Sequence, residues 1–206
     1  MKKLLKIIYN KLFGTGTKKR YSYLTEAAAK YKPKRIMEIG VFNGENSLRI
    51  INEALKNGAV EYYGFDLFDE LSEDKFSMEL AKHPHSMSDM QKKLDKTGAK
   101  ITLIKGDTNK TLPEAAKSLP KMDLIFIDGG HSLETINNDW LYSEKMLADN
   151  GAIIFDDYWN RTDAGCKPLI DALDRNKYDI TIIPTKDRHK KEWGILEINL
   201  AEVKKK

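Results

Sequence analysis

Cysteine is almost missing from this chain. Cys166 is the single one in 206 residues, so no disulfide can close within the chain and a reducing, cytoplasmic setting is expected. Long apolar runs are missing too. None approaches the roughly 20 residues that a membrane-spanning helix needs. Acidic side chains are missing from residues 1–20, which hold seven Lys and Arg. The rest of the chain carries 28 basic against 31 acidic residues, so the net +4 resides in the N-terminal stretch alone. A nucleic-acid binder usually shows a basic face on its folded body, so nucleic acid is not expected as a partner.

What is present suits one soluble globular domain. Hydrophobic residues make up 41% and charged residues 32%, and the length is enough to bury a sizeable core. In "MKKLLKIIYNKLF", Leu4, Leu5, Ile8, Leu12 and Phe13 fall near one side of a helix with lysines flanking them. The apolar part is short for a signal peptide and lacks a cleavage site. It reads as a helix lying on its own domain, over the active site or against a second subunit, which leaves a homo-oligomer open. A membrane surface is the less favoured partner. Residues 1–33 are read as this basic amphipathic arm, 34–200 as the main domain and 201–206 as a basic tail.

Apolar runs alternate with helical patterns. Strands are expected at 35–40, 61–66, 101–107, 122–128 and 151–157, with helices between them at 46–58, 88–98, 111–119 and 132–147. Another helix is expected at 165–176, and 179–185 with 193–199 read as a closing antiparallel pair. This order predicts an α/β sheet buried on both faces. Residues 67–87 fit neither period and read as a lid. Asn138 and Asp139 read as the polar face of their helix.

Ligands of such sheets bind beyond the carboxyl ends of the strands. Those ends read Glu38-Ile-Gly40, Asp66, Gly106-Asp107, Asp128 and Asp156-Asp157. One acid would be a cap; five on one edge make a site. Gly40 and Gly44 in "EIGVFNG" allow a sharp turn and a close ligand approach. Asp66, about 20 residues on, suits the hydroxyls of a ribose. The spacing departs from the dinucleotide fingerprint, and Glu38 would repel a pyrophosphate. A carboxylate there suits a cationic amine, such as that of S-adenosylmethionine.

The motifs "MEIGVFNG…YYGFD…IKGD…LIFIDGGHS…GAIIFDDY" resemble a class I S-adenosylmethionine-dependent methyltransferase over residues 34–200. The resemblance implies a Rossmann-like seven-stranded sheet of order 3-2-1-4-5-7-6 with strand 7 antiparallel. It assigns Glu38 and Gly40 to the methionine end of the cofactor, Asp66 to its ribose, and Asp107 with Thr108 to its adenine. Ser47 would meet the cofactor carboxylate.

Strands four and five are adjacent in that fold, which brings Asp128, Asp156 and Asp157 together. Three such carboxylates repel, and a divalent cation resolves the conflict. Hard oxygen ligands suit Mg²⁺. The trio is similar to that of metal-dependent O-methyltransferases, closest to the macrocin-type and cephalosporin hydroxylase-like proteins, with Asp-Asp where the catechol type has Asp-Asn. A small hydroxylated acceptor is implied, a sugar or glycoside before a catechol. His131, three residues after Asp128, matches the position of a catalytic base, and Tyr158, Trp159 and Arg161 are candidate walls of the acceptor pocket.

Overall fold

The computed structural model describes residues 19–70 and 85–206. The expected arm helix within 1–13 and most of the expected lid lie outside the described residues. The first described element is helix α1 (Ser22–Tyr31). The sheet then begins with β1 (Arg35–Ile39), α2 (Glu45–Ala54) and β2 (Glu61–Asp66). After 85 come α3 (Met87–Asp95), β3 (Lys100–Lys105), α4 (Thr108–Ala115) and β4 (Met122–Ile127). Helix α5 (Leu133–Met146) leads into the long strand β5 (Leu147–Trp159). The chain closes with α6 (Lys167–Ala172), β6 (Tyr178–Ile183), β7 (Arg188–Lys191) and β8 (Gly194–Lys205).

The sheet order is β3-β2-β1-β4-β5-β8-β6, with β7 paired to β8. The first five strands are parallel, and β8 runs antiparallel to both β5 and β6. This is the expected order, with β8 in the place of the expected strand 7. The short strand β7 was not foreseen: four exposed polar residues carry no alternation to betray it. Residues 201–206 need a correction. Lys204 and Lys205 suggested a tail, yet Ala201, Glu202 and Val203 are buried and pair with β5 and β6.

Alternation along each strand divides the core in two. Ile36, Tyr62, Phe126 and Ile154 face α1, α2 and α3. Met37, Phe65, Ile127 and Phe155 face α4, α5 and α6. Helix α2 buries Ser47, Ile50, Ile51 and Ala54, the i, i+3, i+4, i+7 stripe of an amphipathic helix. Helix α1 is docked by Leu24, Ala27 and Ala28, all fully buried. Two polar ties fasten it to β8: Tyr23 Oη donates to Glu202 Oε2 at 2.6 Å, and Lys30 Nζ to Oε1 at 3.1 Å. Docking α1 in this way places the residues just before it at the carboxyl edge of the sheet.

Candidate active site

The turn after β1 is built against the end of β4. Gly40 has φ +90°, and a Cβ there would stand 2.0 Å from the Asp128 carbonyl oxygen. Only glycine fits such an approach. Gly40 N–H donates to Phe65 at 2.8 Å and Asp128 N–H to Ile39 at 2.8 Å, so β1, β2 and β4 end in one plane. Gly44, at φ +71°, opens α2 as its N-cap.

Glu38 and Ser47 lie where their strand and helix faces send them, and both are fully buried. The Tyr62 hydroxyl stands between them, 2.5 Å from Glu38 Oε2 and 3.0 Å from Ser47 Oγ. Burial pushes the Glu38 carboxyl up to about 7, against the bonds from Ser47 and Tyr62 that lower it. Glu38 Oε1 is enclosed without a hydrogen-bond donor of acceptable geometry among the described residues. Both residues are expected at the cofactor. They are enclosed beneath the turn, and Tyr62, which links them, is an addition. Its signal was the period of β2, which puts it on the same face as Glu38 beside α2.

Asp66 accepts backbone N–H bonds from Phe42 at 2.8 Å and Phe68 at 2.9 Å. It therefore shapes the loop at the end of β2. Each of its oxygens keeps a second lone pair for a further donor. Asp107 caps α4 through a 3.0 Å bond from Asn109 N–H, with Thr108 as the first helical residue.

The adjacent acids of β5 pose a geometric problem. Successive strand side chains point to opposite faces. Ile154 and Phe155 obey this rule, so Asp156 and Asp157 should diverge. They do not, because β5 bulges here. Phe155 pairs with Ala201 and Tyr158 with Asn199, so β5 holds one residue more than its partner. Asp157 adopts φ +57°, a left-handed conformation that Asp tolerates better than most residues. Such bulges re-aim side chains near sites. Asp157 N–H then donates to Asp156 Oδ1 at 2.7 Å, and both acids meet Arg20 within one set of neighbouring groups.

Those groups come from three segments. Arg20 Nη1 lies 3.2 Å from Asp156 Oδ1 and 3.2 Å from Asp157 Oδ1. Its Nε lies 3.2 Å from Asp187 Oδ2, in the connection before β7. His131 Nε2 lies 2.9 Å from Asp157 Oδ2. Trp159 Nε1 donates to Asp157 Oδ1 at 3.0 Å, and its ring lies 5.2 Å from that of His131. Burial, then the charges of Asp156 and Asp157, hold the Asp128 carboxyl well above the usual range. Burial and then Asp157 push Asp156 up to about 7, and Arg20 opposes both shifts. Asp156 Oδ2 is enclosed without a hydrogen-bond donor of acceptable geometry among the described residues. A cavity of about 10 Å³ lies among Asp128, Gly130, His131, Asp156, Asp157 and Cys166, the size of roughly one water or ion.

The structure therefore brings Asp128, His131, Asp156 and Asp157 together, as expected. It also adds Arg20, which was read as part of a basic arm. No group of three or more His, Cys, Asp or Glu stands in metal-holding geometry among the described residues; the guanidinium supplies the positive charge. The candidate walls divide. Trp159 joins the site, whereas Tyr158 Oη donates to Asp171 at 2.7 Å, over α6. Arg161 lies over the Trp159 and Trp193 rings, 5.9 Å and 5.7 Å from their centroids. Asp139 also needs a correction, because it is fully buried. A Cβ on Gly129 would lie 3.5 Å from Asp139 Oδ2, so this acid sits under the turn that carries His131. Its signal was the spacing Ile136, Asp139, Ser143, Met146, a helical core stripe with polar members.

Comparison with known proteins fits this edge of the sheet. The family described as "Methyltransferase domain" matches residues 37–158. The chain belongs to that family and is a class I S-adenosylmethionine-dependent methyltransferase. No curated protein matches it in sequence. Among solved structures, the O-methyltransferase TomG from Streptomyces achromogenes, involved in tomaymycin synthesis and in complex with S-adenosylmethionine, aligns with TM-score 0.60 at 16% identity. The alignment covers 89% of this chain and 79% of that one. The O-methyltransferase from Bacillus cereus in complex with S-adenosylhomocysteine gives TM-score 0.57 at 14% identity, over 89% and 79%. The ribosomal protein L11 methylase from Lactobacillus delbrueckii subsp. bulgaricus gives 0.51 at 18%, over 90% and 78%. At these identities the likeness is one of fold. No described helix is long and apolar enough to cross a membrane.

Proposed function

We propose that this methyltransferase acts on oxygen, moving the methyl group of S-adenosylmethionine to a hydroxyl of a small molecule, a sugar or glycoside before a catechol. The carrying observation is the β5 bulge, which turns Asp157 toward His131 and beside Asp156 at the carboxyl edge. The O-methyltransferases TomG and that of Bacillus cereus, the first involved in tomaymycin synthesis, support an acceptor of this kind.

In this reading Gly40 and Gly44 give the cofactor its close approach, and Glu38 with Ser47 holds the turn beneath its methionine end. Asp66 takes the ribose, and Asp107 with Thr108 borders the adenine. The acceptor oxygen attacks the sulfonium methyl carbon, the S–CH₃ bond breaks, and S-adenosylhomocysteine leaves. His131 takes the hydroxyl proton. The Asp157 carboxylate, 2.9 Å from His131 Nε2, stabilises the imidazolium that results. Positioning of oxygen and methyl supplies most of the rate.

Asp128, Asp156 and Asp157 suit Mg²⁺. The donors are hard oxygens, Asp156 Oδ2 is enclosed without a hydrogen-bond donor of acceptable geometry among the described residues, and the Arg20 guanidinium marks the place as one for positive charge. When bound, the ion would lower the pKa of the acceptor hydroxyl. The test is transfer from S-adenosylmethionine labelled in its methyl group to a panel of glycosides and catechols. Label on an acceptor oxygen, with equimolar S-adenosylhomocysteine, is expected. Label confined to nitrogen or carbon would overturn the reading.

A further inference from the structure

We propose that Arg20 and a divalent cation are alternative occupants of the Asp156–Asp157 carboxylate pair, so that the cation enters only as the guanidinium withdraws. This rests on the reading above that the acidic trio can hold such an ion. Three observations carry it. First, one guanidinium nitrogen touches Oδ1 of both acids, which spends lone pairs a metal would need. Second, the charges do not balance. Arg20 brings one positive charge to three clustered carboxyl groups, and Asp156 Oδ2 is enclosed without a hydrogen-bond donor of acceptable geometry among the described residues. A divalent ion neutralises such a cluster better than a monovalent one. Third, the guanidinium has a second place to go. Its Nε already lies 3.2 Å from Asp187 Oδ2, whose side chain is one third exposed at 33%. Arg20 precedes α1 at a turn closed by the Ser22 N–H to Lys19 carbonyl bond of 3.0 Å. Rotation about the long side chain can therefore transfer the guanidinium toward Asp187 while α1 stays docked on β8.

The consequence is a cation site with a built-in competitor. Weak ions fail to displace Arg20, and whatever moves the segment before α1 changes cation affinity. The test is calorimetric titration of Mg²⁺ and Mn²⁺ into the full chain with S-adenosylhomocysteine bound. Arg20→Met keeps the packing of the stem and removes the competitor, so its cation affinity should rise at least tenfold over that of the unaltered protein. Arg20→Lys, which keeps the charge but cannot span both acids and Asp187 at once, should fall between. The second readout is labelling of Arg20 by phenylglyoxal, followed by peptide mass spectrometry. Saturating Mn²⁺ should speed it several-fold. Equal or weaker cation binding by Arg20→Met, or labelling that Mn²⁺ leaves unchanged, would overturn the proposal while leaving the cation site standing. Absence of cation binding in every variant would overturn the cation site as well, and leaves methyl transfer to be judged by its own assay. If Arg20→Met folds poorly without cation, rescue of its thermal midpoint by Mn²⁺ beyond the shift seen for the unaltered chain supports the competition; no rescue counts against it.

Discussion

The backbone N–H of Asp157 donates to Oδ1 of Asp156 across 2.7 Å, and this bond between neighbours depends on a left-handed residue inside a strand. The bulge converts two acids that should face apart into a pair. Its cost is conformational, so it should appear in mutants. Asp157→Asn keeps a residue that tolerates φ +57° and keeps an acceptor for Trp159. Asp157→Val loses both. Urea denaturation should find the valine variant less stable than the asparagine variant by about 2–4 kcal/mol. Equal stabilities would mean the bulge relaxes without cost.

Gly40 ties the cofactor turn to the end of β4. Its Cβ in Gly40→Ala would meet backbone, 2.0 Å from the Asp128 carbonyl oxygen, where no side chain can move aside. The variant should lose about 2–4 kcal/mol of stability. Its affinity for S-adenosylhomocysteine should fall further than that of Gly58→Ala, a glycine with open space around it. Calorimetry on the two variants checks this.

The Glu38 carboxyl supplies a pH dependence. Its pKa is raised from 4.5 to about 7 in the folded protein, chiefly by burial. Protonation therefore favours the folded state. The stability contributed is fully present below about pH 4.5 and is lost as pH rises through about 7. A shift of this size is worth at most about 3 kcal/mol. Glu38→Gln should flatten the urea midpoint across this window. Tyr62→Phe, which removes a bond that lowers the pKa, should move the loss to higher pH.

His131 is placed as the base by its bond to Asp157. His131→Asn should lower kcat by about 10²–10⁴ and leave S-adenosylhomocysteine affinity unchanged. A variant that loses both together would make His131 a structural residue. Stopped assays of labelled methyl transfer beside calorimetry separate the two.

Much of this site could be read in the sequence, because apolar runs that stop on acids mark strand ends directly. Asp128, Asp156 and Asp157 are legible in that way, whereas the order of the strands comes from the resemblance of the motifs to a known family. The conformation of Asp157 is not, since nothing in "IFDDYW" distinguishes a regular strand from a bulged one. Arg20 is legible even less. It meets Asp156 across 136 positions of sequence, by virtue of where α1 docks, and in the sequence it reads as one more basic residue after Lys18 and Lys19. The burial of Glu38 and Asp139 lay between these cases. Both sit on core-facing positions of a regular period, and that period outweighs their polarity.

The central claim is that the acids at the end of β5 serve the transfer step and not the cofactor. Asp156→Asn tests it most directly, with S-adenosylhomocysteine affinity and methyl transfer measured on the same sample. The account predicts affinity within about twofold of the unaltered chain and transfer reduced by about 10² or more. Parallel loss of both, or full transfer with the carboxylate gone, would contradict it.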